Sequence, residues 1–354
     1  MKKIIMAIAA TAMLASAAFA EVSIGGWGRA YFVPVWMTKV DSADAEIKAN
    51  ANEVSWGAQP AGGFTLTGGA DDIKASLHLH AGNGTSGGKA VDAYTVTATP
   101  FDFLTVVLGG GDSHDDVFRG KGPNFQLRGK NTSWSMWALN DGSDVFSRVN
   151  EGDSKKYTEI KVNFEPVTAY AVFYNDLGGD LIKAEDMYKN GQYGIGANLD
   201  GIGLARAQWI GRGKEGTMEA AFALTSVENL YLDIGVKYAT EKKLTVTAVP
   251  QYNAGDFGIT AGLQFVNDNE KGENSLNVYL QPTYNLGNGY SLLAEAIFTA
   301  PNLEKVSDTA LIGANCFINK GLSSGKVGAG VCFSYFMDSK TTNFGVPVFA
   351  EYWF

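Results

Sequence analysis

The chain has 354 residues, 45% of them hydrophobic and 18% charged, which argues against intrinsic disorder and against a coiled coil. Its 43 glycines follow no Gly-X-Y period, and two cysteines are too few for a disulfide-dense framework, so a collagen and a small disulfide scaffold are excluded as well. The formal net charge of −9 disfavours a phosphate-binding surface, and we predict no nucleic-acid partner.

Residues 1–20 have the pattern of a secretory signal peptide. Lys2 and Lys3 give a cationic start, an apolar run follows, and Ala18-Phe19-Ala20 has the small-x-small form of a cleavage site. We predict cleavage before Glu21, which leaves 26 basic and 37 acidic residues and a net charge of −11. No later stretch has the roughly 18 to 20 apolar residues that a membrane helix needs, so a membrane span would have to use strands.

Apolar and polar residues alternate through nearly all of the remaining chain. In residues 73–81, Ile73 and Leu77 fall on one face while Lys74 and His78 fall on the other, as in a strand with one apolar face. Counting such segments predicts eighteen strands, with sixteen as the alternative. The predicted strands are 22–35, 62–70, 73–82, 90–99, 102–110, 156–165, 167–176, 191–199, 202–211, 216–226, 229–239, 243–252, 256–266, 274–285, 289–299, 307–317, 326–336 and 344–354.

The connections between these strands differ in length on the two sides. Every second connection is short and most contain Gly, Pro, Asn or Asp, except the eight residues at 318–325. The intervening connections include the long segments 36–61, 111–155 and 177–190. Short turns on the side of both termini are typical of outer-membrane barrels.

An unpaired strand edge is costly in hydrocarbon, so membrane-spanning strands must close on themselves. We therefore predict an all-β fold, a transmembrane antiparallel up-and-down β-barrel formed by residues 21–354. A secreted sandwich or solenoid is the soluble alternative, and eighteen strands would be unusually many for it.

The C-terminal strand strengthens the barrel interpretation. Its outward face predicts an assembly signal with an aromatic last residue, formed by Val348, Ala350, Tyr352 and Phe354. This pattern resembles the signal that the barrel-assembly machinery reads as an edge strand in outer-membrane proteins. The alternative is an aromatic strand that caps a soluble sheet.

Together these features resemble a gram-negative-type porin. The stretches 25–35, 100–104 and 115–120 are similar to porin-like outer-membrane proteins of spirochaetes. The resemblance implies passive diffusion of small polar solutes through a water-filled lumen, with outer-membrane lipid and the barrel-assembly machinery as partners and a homotrimer as the assembly. A surface-exposed adhesin or receptor, with its lumen plugged by 111–155, is the alternative function.

The polar face of the predicted strands supplies candidate lumen-wall residues. Side chains of both charge signs facing inward require water, and a barrel of this size is too wide to be filled by its own side chains. The wall candidates are Arg29, Lys74, His78, Glu159, Lys161, Arg206, Gln208, Asp233, Lys237, Asn277, Gln281 and Glu295.

The 111–155 connection is predicted to determine the narrowest diameter of the channel. It follows the fifth predicted strand, where similar porins carry a loop that folds inward. Acids beside bases across a constriction create a transverse field that affects ion preference. The constriction candidates are Asp112, Asp115, Asp116, Arg119, Lys121, Arg128 and Lys130. Alternatively, this loop covers the mouth, and residues 133–139 within it could form a further strand.

No pattern of residues indicates an enzyme. His78, His80 and His114 are the only histidines. His78 and His80 fall on one strand face and could in principle bind a metal, but no cysteine or third histidine accompanies them, and no serine or aspartate with a positioned histidine marks an outer-membrane hydrolase. We predict no enzymatic activity, no metal and no cofactor. We also predict that Cys316 and Cys332 are free thiols on opposite faces, about four residues out of register, with Cys316 opposite residue 328.

Overall fold

The structure is a computed structural model that describes residues 21–41, 46–48, 61–81, 91–111, 156–174 and 189–354. The predicted signal peptide and most of the three longest connections lie outside these residues. Within the described part of the chain, none of the helices has the length and apolar character needed to cross a membrane.

Antiparallel strands make up almost all of the described chain. They are β1 (Glu21–Val40), β2 (Glu46–Lys48), β3 (Ala61–Ala70), β4 (Ile73–Ala81), β5 (Val91–Phe101), β6 (Leu104–Gly111), β7 (Lys156–Phe164), β8 (Val167–Tyr174), β9 (Gln192–Leu199), β10 (Gly203–Arg212), β11 (Glu215–Leu224), β12 (Leu230–Ala239), β13 (Lys243–Ala254), β14 (Phe257–Asp268), β15 (Glu273–Gly287), β16 (Tyr290–Ala300), β17 (Leu311–Leu322), β18 (Gly325–Phe336) and β19 (Thr341–Trp353). A short 3-10 turn, Leu303–Lys305, and helix α1, Val306–Thr309, lie between β16 and β17.

The strands form one closed antiparallel barrel. From β3 onward each strand pairs with the next in sequence, and β19 returns to pair with β1 along almost its whole length. The other edge of β1 pairs with β3 in its first half and with the three-residue β2 in its second. β2 and β3 pair with the same edge of β1, one beyond the other, and so occupy one place in the barrel. Closure therefore involves eighteen strands, as predicted.

The two faces of the wall differ sharply in chemistry. In β17, Ile312, Ala314 and Cys316 are exposed, while the alternate residues Gly313, Asn315 and Phe317 are buried on the inner side. Large apolar side chains are exposed on the outer face around the barrel. The outer face is therefore the hydrophobic one, which is the reverse of a soluble barrel with an apolar core.

Aromatic residues ring the end of the barrel that carries the short turns and both termini. Phe103 stacks between Phe101 and Phe164, with ring centroids 5.5 and 5.0 Å apart. Other exposed aromatic residues near the same end are Tyr252, Phe257, Tyr284, Tyr290, Tyr352 and Phe354. Such a girdle is typical of the level where hydrocarbon meets water.

The structure corrects three predicted boundaries. Residues 36–40, predicted as a connection, continue β1, because β19 begins at Thr341 and supplies a partner as far as Val40. Residues 307–309, predicted as strand, are helical, and β17 runs instead from Leu311 to Leu322. The last short turn is therefore the two residues Ser323 and Ser324, not the segment 318–325.

The longer β17 also corrects the predicted cysteine register. Cys316 pairs with Val331, and Cys332 pairs with Asn315, so the two cysteines are one residue apart in register and not four. Both are free, with Cys316 exposed on the outer face and Cys332 buried on the inner face. The two thiols are therefore kept apart because they project from opposite faces of the sheet, and not because they are far apart along the strands.

Candidate functional site

A row of hydrogen-bonded side chains crosses the inner face of β8 to β12. We call it the polar ladder and define it as Tyr170, Gln192, Gln208, Glu219 and Lys237. Gln192 donates from Nε2 to the hydroxyl of Tyr170 at 3.1 Å and to Oε1 of Gln208 at 2.9 Å. Gln208 donates to one carboxylate oxygen of Glu219, and the other lies 2.8 Å from Nζ of Lys237.

The backbone register explains why the polar ladder forms. Gln208 lies opposite Glu219, and Glu219 lies opposite Lys237, so the three side chains follow the hydrogen-bonding direction of the sheet. Directly opposed side chains are close enough to interact. Gly194 faces Tyr170 and leaves room for its ring, because a side chain at position 194 would collide with that ring.

A buried ion pair lies beside the polar ladder. The guanidinium of Arg206 donates to Asp233, and both side chains are only 1% exposed. Arg206 is on β10 and Asp233 is on β12, so the arginine reaches across β11. It can do so because its direct partner on β11 is Ala221, which is small. Tyr231 adds a hydrogen bond from its hydroxyl to Asp233 at 3.3 Å.

Glu295 is the centre of a second buried cluster, on β15 to β17. Its Oε1 accepts hydrogen bonds from Nε2 of Gln281 at 2.8 Å and from the hydroxyl of Tyr279 at 3.2 Å. Its Oε2 accepts from Nδ2 of Asn315 at 3.1 Å. These contacts join β15, β16 and β17 and offset the loss of hydration around a buried carboxylate.

Isolated pairs of polar side chains connect several further strands on the inner face. Asn277 donates to Gln264 at 3.0 Å across β14 and β15. Lys326 lies 3.0 Å from Glu351 across β18 and β19. Polar contacts between inner-face side chains thus recur from β8 round to β19.

The remaining wall candidates lie on β1, β4 and β7. Lys74 is exposed near a short turn, and His78 and Lys161 are half-buried. Glu159 is completely buried between β6 and β8. The backbone of Arg29 lies opposite Glu351.

The seven constriction candidates, Asp112 to Lys130, all lie outside the described residues, as does the segment 133–139. In the described parts of the chain, no group of three His, Cys, Asp or Glu side chains is arranged to hold a metal ion.

Several residues of the wall were missed by sequence reasoning. Glu219 and Glu351 alternate with the apolar residues of strands that were correctly predicted. The same alternation rule would therefore have placed both on the inner face. Gln192 and Tyr170 gave no comparable signal, because glycines and alanines surround them in sequence. Their role follows only from the contacts between strands.

An eighteen-stranded closed barrel with an apolar outside and a polar, charged inside defines a membrane-spanning channel protein. The model of the family described as Gram-negative porin matches residues 7–299 of this sequence. The chain therefore belongs to the Gram-negative porin family. It is a bacterial outer-membrane channel for diffusion of small solutes, as predicted from the sequence.

Solved structures agree with this fold. OpdL of Pseudomonas aeruginosa is 10% identical with a TM-score of 0.55, and the match covers 94% of this chain and 99% of that one. OccK3 (OpdO) of the same organism is 12% identical with a TM-score of 0.56, covering 94% and 96%. OpdK, an outer-membrane protein of that organism, is 8% identical with a TM-score of 0.54, covering 94% and 99%. No curated protein matches the sequence significantly.

The sidedness of the wall leads to a prediction at two adjacent positions in the middle of β14. Leu263 is exposed on the outer face, and Gln264 is buried on the inner face. Leu263→Arg should lower the free energy of unfolding by about 2–4 kcal/mol, the cost of a cation facing lipid at the bilayer midplane. Gln264→Arg, at the same depth, should cost much less. Urea unfolding in phospholipid vesicles measures both, and equal losses would contradict the assigned faces.

Proposed function

We propose that this chain is a general diffusion porin, which passes small polar solutes and ions and has no catalytic activity. The proposal is carried by one observation, the interlocked charges of both signs that line the inner face while the outer face is apolar. Arg206, Lys237, Glu219 and Asp233 alternate in sign across three neighbouring strands. Such a wall favours hydrated solutes over apolar ones without excluding either sign of ion.

Single-channel recording in planar bilayers tests this function. We expect steady ohmic steps whose size falls as larger polyethylene glycols enter the pore. The surface adhesin or receptor with a plugged lumen predicts silence from protein that is correctly folded. Heat-modifiable migration on a gel confirms folding in each preparation, so silence from a folded sample would overturn the proposal.

We further propose that residues 112–130 narrow the bore. The proposal is supported by the position of this segment between two neighbouring strands of the wall and by its content of acids and bases, Asp112, Asp115, Asp116, Arg119, Lys121, Arg128 and Lys130. The pore's conductance depends on its narrowest cross-section. Deleting 112–130 should therefore raise the single-channel conductance.

The matched control for this deletion is removal of 178–186 from another long connection. That deletion should leave conductance unchanged if the bore is set by 112–130 alone. An unchanged conductance after deletion of 112–130, in protein that still migrates as a folded barrel, would refute the constriction.

Three further features of the mature protein are proposed from sequence. Cleavage after Ala20 is supported by the pattern of residues 1–20 and predicts Glu21 as the first residue of protein purified from outer membranes. A homotrimer is supported by the porin resemblance, and a monomer mass on unheated gels and in light scattering would contradict it. Recognition of the C-terminal strand by the barrel-assembly machinery is the third.

A further inference from the structure

A cleft of about 330 Å³ opens on the wall beside the short turns that follow β15 and β17. Its side chains come from four neighbouring strands, β16 to β19, and Gly289, Gly321 and Gly325 also line it. The lining side chains are Ser291, Leu293, Asn319, Leu322, Lys326 and Trp353. The volume is at the lower end of the range of about 300–1,000 Å³ found for sites that bind small organic molecules.

Asn319 contributes a buried polar side chain to the lining of this cleft. Its side chain is only 7% exposed, yet its amide oxygen accepts no hydrogen bond from the described residues. A buried amide oxygen without a hydrogen-bond partner is destabilising, and a ligand that donates a hydrogen bond to it would relieve that cost. Ser291, the direct cross-strand neighbour of Asn319, places a hydroxyl on the same side of the cleft.

The charges at the cleft nearly cancel. The ammonium of Lys326 lies 3.0 Å from the carboxylate of Glu351, and each side chain is 18% exposed. An anion would have to compete with Glu351 for Lys326, and a cation would meet that same ammonium. The cleft therefore favours an uncharged ligand that both donates and accepts hydrogen bonds.

Trp353 supplies a flat apolar surface at the opening. Its side chain is 45% exposed, and its backbone N–H donates to the carbonyl of Ser324 at 3.0 Å, which fixes its position at the end of β19. An indole face beside amide and hydroxyl groups matches a ligand that has an apolar ring face and polar edges.

We propose that this cleft is a binding subsite for one neutral sugar ring, held by Asn319 and Ser291 at its hydroxyl groups and by Trp353 at its C–H face. The inference deepens the proposed porin function and rests on it, because a sugar would reach the cleft at the end of its passage through the barrel. A subsite at the exit would make the passage of sugar saturable, and a bound sugar would obstruct part of the ionic current.

The test is block of single-channel current by D-glucose added on the short-turn side. We expect the current to fall along a saturating curve. Asn319→Leu and Trp353→Ala should each raise the half-blocking concentration about tenfold, the effect of losing one good contact. Tyr284→Ala is the control, since Tyr284 is an aromatic residue of similar exposure on the outer face, outside the cleft, and should leave the curve unchanged. Gluconate and glucosamine, the charged analogues, should block more weakly than glucose.

Two measurements keep the test decisive. Asn319→Leu removes a buried amide oxygen that accepts no hydrogen bond from the described residues, so we expect stability to urea close to that of the parent chain. A weaker block in a variant of unchanged stability cannot be ascribed to misfolding. Equilibrium dialysis of D-glucose against the folded barrel measures binding to the cleft even if no current flows. A protein that does not conduct can therefore be distinguished from one that does not bind glucose. A linear fall in current that matches bulk viscosity in every variant, or equal block by the charged analogues, would overturn the subsite.

Discussion

Replacing Arg206 by alanine should lower the free energy of unfolding by about 3–5 kcal/mol, the usual cost of leaving one partner of a buried ion pair alone. Arg206 and Asp233 are almost wholly buried, and the guanidinium spans β11 to reach its partner. Alanine cannot replace that contact, so Asp233 would keep only the hydrogen bond from Tyr231. Urea titration of the barrel in phospholipid vesicles measures the loss.

The double variant Arg206→Met with Asp233→Leu is the control for this prediction. It removes both charges together and should recover most of the stability, because buried ion pairs are often no more stabilising than apolar side chains of similar size. A loss in the double variant equal to the sum of the two single losses would contradict the pairing.

The same single variant should also change ion preference. Arg206→Ala removes a cation and leaves the carboxylates of Asp233 and Glu219 on the wall, so the reversal potential in a salt gradient should shift towards cations. Lys237→Ala should shift the potential in the same direction with a smaller loss of stability, because that lysine is 41% exposed. An unchanged potential in both variants would mean that these residues lie away from the ion path.

Removing Phe354 should strongly reduce the amount of barrel found in the outer membrane. Its backbone N–H and carbonyl exchange hydrogen bonds of 3.0 and 2.9 Å with Gly26, which extend the seam where β19 meets β1. Its ring lies over Gly26, where any side chain would collide with it, and tilts against Tyr352 at 5.7 Å. The two hydrogen bonds together contribute about 1–3 kcal/mol to closure.

Side-chain variants distinguish recognition of Phe354 by the assembly machinery from its contribution to closure of the barrel. Phe354→Ala keeps the backbone hydrogen bonds, so it should unfold in vitro close to the parent chain, yet it should assemble poorly in cells if the aromatic end is read by the assembly machinery. Phe354→Tyr should restore assembly. Phe164→Ala is the matched control, because Phe164 is an aromatic residue of the same girdle and is also 61% exposed. Equal assembly defects in the 354 and 164 alanine variants would refute a dedicated signal.

Most of the strand plan was readable from the sequence because alternation is a local property. Every one of the eighteen predicted strands is present, since one apolar face and one polar face recur without reference to any neighbour. The errors fell where the partner strand decides. Residues 318–322 contain Asn, Lys and Gly and so suggested a turn, but β16 and β18 continue to pair there and extend β17.

The polar residues of the inner wall could likewise be predicted from the sequence only in part. Parity placed Arg206, Asp233, Lys237 and Glu295 on the polar face, and it would have placed Glu219 there as well. It could not show that Arg206 passes over Ala221 to reach Asp233, or that Asn315 and Gln281 meet at Glu295. Such contacts depend on register, and each residue of slip moves a side chain by about 3.3 Å and turns it to the other face.

The sequence alone indicated the strand pattern, with sixteen strands as the alternative to eighteen, and also the faces of the strands and the outer-membrane class of the protein, because period-two alternation and an aromatic C-terminal strand need only local chemistry. The tertiary structure decided which inner side chains pair, how far β17 extends and where the sugar-sized cleft opens. Those features arise between strands that can be far apart in the chain, and only closure of β19 on β1 fixes their register.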